Sequence, residues 1–345
     1  MAGLGAATPV GRTAWASAAA VRAGVSGFNH HSFMVDSEGE PMTVGECPWL
    51  ASVPGVDDRV AHLLVSAVGE SLSALDANRR RRPAPTLLVN LPPQRAGLPD
   101  TLEATVRRNL EQAFPDAFAE VDVMRLGHAG GFLAMQAGLE RLQGDSGKVC
   151  VVAGADSYIE PDTLEWLEDT EQLHGAGPRN NAWGFIPGEG AGSLLLISAK
   201  TADRFSIRTF AALQAVGIGR EEKLIRSGEV CLGLGLTGAF RGALGALPGD
   251  ARVTDVYCDM NGEPYRADEF AFAVTRTRER FVAATDFVSP ADCWGDVGAA
   301  SAPLFVVLAS IAGAKGYALG PTVLTWASSD AGERGAALLE TPPGA

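Results

Sequence analysis

Residues 184–192 read Gly184-Phe185-Ile186-Pro187-Gly188-Glu189-Gly190-Ala191-Gly192, and an unbroken apolar run, Ser193-Leu194-Leu195-Leu196-Ile197, follows directly. A small-residue turn opening into a continuous apolar strand marks a strand covered on both faces, where helices approach the backbone closely. Working outward, further strand-like runs stand at residues 86–91 (TLLVNL), 149–153 (VCVVA) and 253–258 (VTDVYC). The apolar stretch 304–308 continues through Ile311 and so fits a buried helix better than a strand. Helical periodicity runs over residues 57–75, 102–114, 131–142, 234–247 and 267–281. Interleaved in this way, the elements predict an α/β fold with sheets covered on both faces.

The chain has 345 residues, enough for one large domain or two medium ones. With 46% hydrophobic and 20% charged residues it has globular proportions, which excludes global disorder. A net charge of −13 argues against a non-specific binder of nucleic acid or anionic membrane, since both need a basic footprint. No apolar run approaches the roughly 20 residues that span a bilayer. The opening MAGLGAATPVGRTAW lacks a basic segment followed by an apolar one, so no signal peptide is read there. Five Cys without a CxxC pair suit a reducing compartment, and five His without HxxxH spacing suggest no metal site. The expectation is a cytoplasmic protein with no nucleic-acid partner and no membrane insertion.

Several polar stretches punctuate this pattern. The run Arg79-Arg80-Arg81-Arg82-Pro83 reads as a solvated cluster at a helix C-terminus, where cations complement the dipole. Residues 170–181 (TEQLHGAGPRNN) read as a long loop beside a pocket. A polar interruption at 200–204 separates two halves of similar organisation. There is no P-loop and no GxGxxG after a strand; Gly233-Leu234-Gly235-Leu236-Thr237-Gly238 comes superficially close to the dinucleotide pattern, but a lone glycine pattern is weak evidence, so no cofactor is implied.

Five segments in order carry a family resemblance. They are Gly3-Leu4-Gly5-Ala6-Ala7-Thr8-Pro9-Val10-Gly11, Ala23-Gly24-Val25-Ser26-Gly27-Phe28, Val152-Ala153-Gly154-Ala155-Asp156-Ser157, the 184–192 stretch, and Gly298-Ala299-Ala300. Together they resemble the β-ketoacyl synthase branch of the thiolase superfamily, the 184–192 stretch being the most specific match. The resemblance implies a thiolase-like five-layered α-β-α-β-α fold from two duplicated halves, about residues 1–203 and 204–345, usually as a homodimer. Only Met1-Ala2 precedes the GLGAxTPxG-like segment, so the family's first strand is expected to be missing or the start misplaced.

The family's catalytic residues do not carry over. Counting back from Gly154 puts its nucleophilic cysteine at His128, and its two histidines fall on Asn261 and Gly295. The lysine before the second histidine falls near Pro290, and Ser328-Ser329-Asp330-Ala331-Gly332-Glu333-Arg334 replaces the C-terminal gate. An imidazole cannot form the thioester, and Asn and Gly cannot replace two histidines in decarboxylation. At a helix N-terminus the dipole and burial would both disfavour a cationic His128, leaving a neutral base or nucleophile. Asp259 and Cys293 lie near the lost histidines, so a Cys293–His128–Asp259 triad is one expectation. The other is that His128 simply fills the space of the cysteine. Asn261, Glu263, Arg266, Gly295, Ser328 and Asp330 are expected to line the pocket, with Arg266 pairing Glu263 or Glu269. Glu189 resembles a structural acid.

The resemblance with these losses implies a non-condensing binding, scaffold or partner subunit, forming a homodimer or a heterodimer with a related subunit. A protein client or acyl carrier protein is the other class of partner. The segment Asp259-Met260-Asn261-Gly262-Glu263 is also similar to that of degenerate members associated with type VI secretion effector-loading clusters, which implies an accessory role there. The alternative is an acyltransferase or a thioester or ester hydrolase with a site rewired around His128. A small-molecule binder without turnover is a third reading, and the polar 328–330 segment makes a long apolar acyl chain a less natural ligand.

Overall fold

The computed structural model describes residues 1–53, 55–75, 84–144 and 147–342. The four arginines at 79–82 lie outside the described residues. In chain order the elements are β1 (Gly3–Ala7), α1 (Ala14–Arg22), β2 (Asn29–Val35), β3 (Pro41–Val44), α2 (Val56–Leu72), β4 (Thr86–Asn90), α3 (Leu102–Ala113) and β5 (Glu120–Met124). There follow α4 (Gly130–Leu142), β6 (Val149–Ser157), α5 (Pro161–Asp169), β7 (Glu189–Ile197), α6 (Ala199–Phe205) and β8 (Ala212–Arg220). The rest are α7 (Leu234–Leu244), β9 (Asp255–Cys258), α8 (Pro264–Thr275), β10 (Phe287–Val288), α9 (Ala291–Trp294), α10 (Ser301–Lys315), β11 (Thr322–Ser328) and β12 (Glu333–Glu340).

One sheet has the order β1-β7-β6-β4-β5 and the other, written from its β8 edge, β8-β12-β11-β9-β10. Numbered within its own sheet, each runs first-fifth-fourth-second-third strand. In each, the first two pairings are antiparallel and the last two parallel. The chain therefore writes one topology twice. Even the close packing repeats: a Cβ on Gly5 of β1 would run into the Ala67 carbonyl of α2. One on Gly217 of β8 would run into the Ala239 carbonyl of α7. Glycine at these positions lets a helix lie directly on each edge strand.

Strand alternation builds the layers. Leu87, Val151 and Leu195 turn outward to a core shared with α2 and α3, whereas Leu88, Val152 and Leu194 turn inward. The inward set meets α4 and α10 and, beyond them, Val323 and Leu339 of the second sheet. The outer face of that sheet, with Leu324, Trp326 and Leu338, packs on α7 and α8. The order is thus α2/α3, sheet, α4/α10, sheet, α7/α8: five layers. Helix α10 lies between both sheets and is buried along Ser301–Gly313, which explains its unbroken apolarity. The stretch Gly298–Lys315 has the length and apolarity of a membrane-crossing helix, but it is 89% buried inside the protein.

One expectation is corrected here. The first strand is present, because Gly3–Ala7 themselves pair with β7 as an edge strand. The helices read at 234–247 and 267–281 end earlier, at Leu244 and Thr275, the second giving way to a turn of 3-10 helix at Arg278–Arg280.

Candidate functional site

Both central helices begin in a turn of 3-10 helix: Gly127–Ala129 before α4 and Gly298–Ala300 before α10. Gly127 and Gly298 both have positive φ, 65° and 46°, which a side chain would resist. The buried Asn90 at the end of β4 ties the two turns together. Its amide donates to the Gly127 carbonyl at 2.7 Å and to the Ala299 carbonyl at 3.0 Å. The site gathers at this junction of helix N-termini and C-terminal strand ends, where α/β folds place ligands.

His128 stands in the first of these turns with its side chain 7% exposed. Its Nε2 lies 2.7 Å from Asp296 Oδ1, and the same oxygen accepts the Gly298 N–H at 2.8 Å. Asp296 Oδ2 accepts from Asn261 Nδ2 at 2.7 Å, and Asn261 also donates to Glu263. Arg266, on the first turn of α8, extends the network: its Nε meets Glu263 at 3.0 Å and its Nη1 meets Asp259 and the Ser328 carbonyl, each at 2.7 Å. Asp330 reaches Arg266 at 3.4 Å and Arg226 at 2.7 Å.

The electrostatics follow from burial and pairing. Burial by itself would lower the His128 pKa, but the Asp296 carboxylate outweighs it and the imidazole is held above its ordinary value. The expectation from the helix position left this carboxylate out: Asp296, in contact with the ring, acts against both burial and the dipole. For Asp296 burial acts upward, and His128, Arg266 and the Gly298 N–H pull it well below the usual carboxylate range. Asp259 goes the other way, raised to about 6 by burial against the pull of Arg266 and His128.

A cavity of about 510 Å³ opens beside this network, with His128, Arg266 and Asp330 on its wall together with Arg95, Tyr158 and Ser329. Asn261, Glu263, Asp259 and Ser328 stand behind that wall and hold Arg266 and Asp296 in place. Gly295 is elsewhere, packed with φ of 80° against the Ile186 carbonyl and Gly188. Cys293 lies on α9, outside the cavity wall, with its thiol pushed up by burial and by Asp292. The expected Cys293–His128–Asp259 triad is thus not assembled: His128 pairs with Asp296, and Asp259 with Arg266. Glu269 pairs with Arg334 rather than Arg266.

Asp296 carries no signal of its own in the sequence, since the resemblance points to its neighbour Gly295 as the position of the second histidine. Arg95 and Arg226 carried no local signal; they reach the site from loops far apart in the chain. Residue Gln172 of the 170–181 loop lines the cavity and accepts from Arg226 at 2.6 Å. Glu189 is fully buried against Arg59, at 2.6 and 3.0 Å, and accepts from the Cys47 N–H and Ser157 hydroxyl. Glu221, Cys231 and Glu269 also come together, but their oxygens already accept from the Gly235 N–H, the Ser328 hydroxyl and Arg334. That donor set is a hydrogen-bond network rather than a metal centre.

No family model and no curated protein matches the chain. Solved structures do. The ishigamide ketosynthase/chain length factor matches at a TM-score of 0.79 and 17% identity, over 99% of this chain and 98% of that one. A type II PKS acyl-carrier protein in complex with its ketosynthase bound to the hexaketide (AntDE:AntF) matches at 0.75 and 14%, over 99% and 98%. The ketosynthase from module 6 of the bacillaene synthase of Bacillus subtilis 168 matches at 0.74 and 14%, over 99% and 71%. Together with the five layers and the repeated sheet topology, these likenesses give the chain the thiolase-like fold of the ketosynthases.

Proposed function

We propose that this chain is a ketosynthase-like binding or partner subunit that does not catalyse condensation. The observation that carries the reading is the hydrogen-bonded set His128–Asp296–Asn261. An imidazole stands where the resemblance expects the cysteine, and Asn261 and Gly295 stand where it expects histidines. Among the described residues no thiol lines the cavity, which leaves a thioester without its nucleophile there. Decarboxylation of an extender lacks its pair of imidazole donors.

The same geometry weighs against acyl transfer or hydrolysis. The Nε2 of His128 is taken by Asp296, and among the described residues no hydroxyl or thiol pairs with the ring, so no activated nucleophile is assembled there. Ser329 lines the cavity, but its hydroxyl already donates to the Leu126 carbonyl at 2.5 Å and accepts from the Ala129 N–H.

Two features support a protein partner. The ketosynthase/chain length factor and the acyl-carrier protein complex among the neighbours are assemblies of this fold. In addition, β5 is an edge strand bonded only to β4 among the described residues, and such an edge offers unpaired N–H and C=O groups to a second subunit. The reading includes a homodimer or heterodimer formed there. A protein client of the type VI secretion kind would meet little of Asp259 and Glu263, whose side chains are buried. A cytoplasmic location accords with five buried, unpaired cysteines.

Intact-protein mass spectra after incubation with acyl-CoA and acyl-carrier thioesters, together with a malonyl decarboxylation assay, test the reading. No adduct and no decarboxylation are expected, with a stoichiometric second subunit in native purifications. A covalent acyl adduct lost in His128→Ala would overturn it.

A further inference from the structure

The wall of the 510 Å³ cavity carries hydrogen-bond donors that the protein leaves unused. The Arg95 side chain is 7% exposed. Its Nη2 pairs with Asp156 and the Ser157 carbonyl, each at 2.7 Å, yet its Nε–H is buried without a partner. A buried guanidinium N–H left unpaired carries an uncompensated desolvation cost, which a ligand's acceptor would remove. Arg125 donates to the Pro92 carbonyl at 2.9 Å and to Gln94 at 3.0 Å, and no carboxylate pairs with it among the described residues. The second ring nitrogen of His128, Nδ1, has no hydrogen bond among the described residues, and His128 is on the same wall; Nδ1 donates to an anion when the ring carries both protons.

The acids on the wall are already engaged. Asp156 holds Arg95 and the Ala299 N–H, Asp330 holds Arg226 and Arg266, and Glu333 holds Arg220 through one oxygen, its other oxygen remaining without a donor. Tyr158 lies under Arg95, whose guanidinium is 4.0 Å from the ring centre, Phe185 packs edge-on against Tyr158, and Trp166 lines the cavity together with Pro93, Ala96 and Leu126. A chain-shaped apolar ligand would leave the free donors desolvated and unpaired. An anion would satisfy them with charge-assisted bonds.

We propose that this cavity binds a small organic anion. Arg95 and Arg125 receive its carboxylate or phosphate group beside His128, and Tyr158 and Trp166 receive its body. The proposal rests on the reading of the cavity as a binding site without condensation, and its test is independent of any condensation assay.

Isothermal titration of the full chain with benzoate, phenyl phosphate and the neutral isostere benzamide reads it directly. Saturable binding of benzoate or phenyl phosphate is expected, with the tighter of the two identifying the head group, and benzamide at least about tenfold weaker. Arg125→Gln, at a half-buried position without a carboxylate partner, keeps the fold and should weaken the anion by about tenfold. Arg95→Lys should weaken it as well while retaining a cation for Asp156. Benzamide binding as tightly as benzoate, unchanged affinity in Arg125→Gln, or no saturable binding of either anion would each overturn the proposal. A malonyl-condensing chain that still binds anions would instead sink the non-condensing reading alone.

Discussion

Replacing Asp296 with asparagine tests the site's central contact. Both partners are buried, with side chains 7% and 2% exposed, and the 2.7 Å contact is the imidazole's one charged hydrogen bond. Where the ring is protonated, removing its buried partner costs about 3–5 kcal/mol, because the charge is left unsolvated. Unfolding entropy of about 2.1 cal/mol/K per residue over the chain turns that into a Tm drop of roughly 4–7 °C. The pH dependence is the sharper signature. In the native protein the His128 pKa lies above its unfolded value of 6.5, so its stabilisation is complete below that pH and fades as pH rises through the native value. Without Asp296, burial and Arg266 would push the pKa below 6.5, and the protein would lose stability as pH falls through that region. The slope of stability against pH just above 6.5 should therefore weaken or vanish, and just below it reverse for this group. Urea unfolding between about pH 5 and 8.5 and NMR titration of the imidazole, assigned with His128→Gln, measure both. A His128 pKa unchanged in Asp296→Asn would refute the account of the site.

Asp259, raised to about 6 by burial, makes the native state less favourable as pH climbs from near 4 to 6; Asp259→Asn should abolish that part of the urea-midpoint profile. Glu189→Gln, which uncouples the bidentate contact with Arg59, should destabilise by about 3–5 kcal/mol in chemical denaturation, and an effect below 1 would show the pair to be ornamental. Gly154→Ala would drive a Cβ into the Ala299 carbonyl at the turn before α10, for an expected loss of about 1–3 kcal/mol read as a lower Tm. Ellman's reagent should find almost no reactive thiol in the native protein and five after unfolding, since all five cysteines are buried; rapid native labelling of Cys293 would contradict its placement.

Local pattern was enough for much of the fold. The runs at 86–91, 149–153 and 193–197 became β4, β6 and β7, because an apolar stretch bounded by turn residues has few ways to bury itself. Strands with Gly and polar residues were harder. Residues 212–220 (ALQAVGIGR) and 333–340 (ERGAALLE) show no strong alternation, and become β8 and β12 through sheet partners far along the chain. Within the polar 328–334 segment, residues 329–332 form the turn joining β11 to β12 and deliver Ser329 and Asp330 to the cavity.

By itself the sequence determined the layered α/β fold, since the apolar runs and periodicities that build it are properties of residue type and order. Tertiary structure alone decided what His128 does. Its pKa depends on which carboxylate lies within a hydrogen bond, and Asp296, 168 residues away, arrives only when the two repeats bring their central helix turns together. Arg95 and Asp330 meet the cavity for the same reason. Coulomb interactions fall off with distance in space, and spacing along the chain does not reveal which side chains will share a wall.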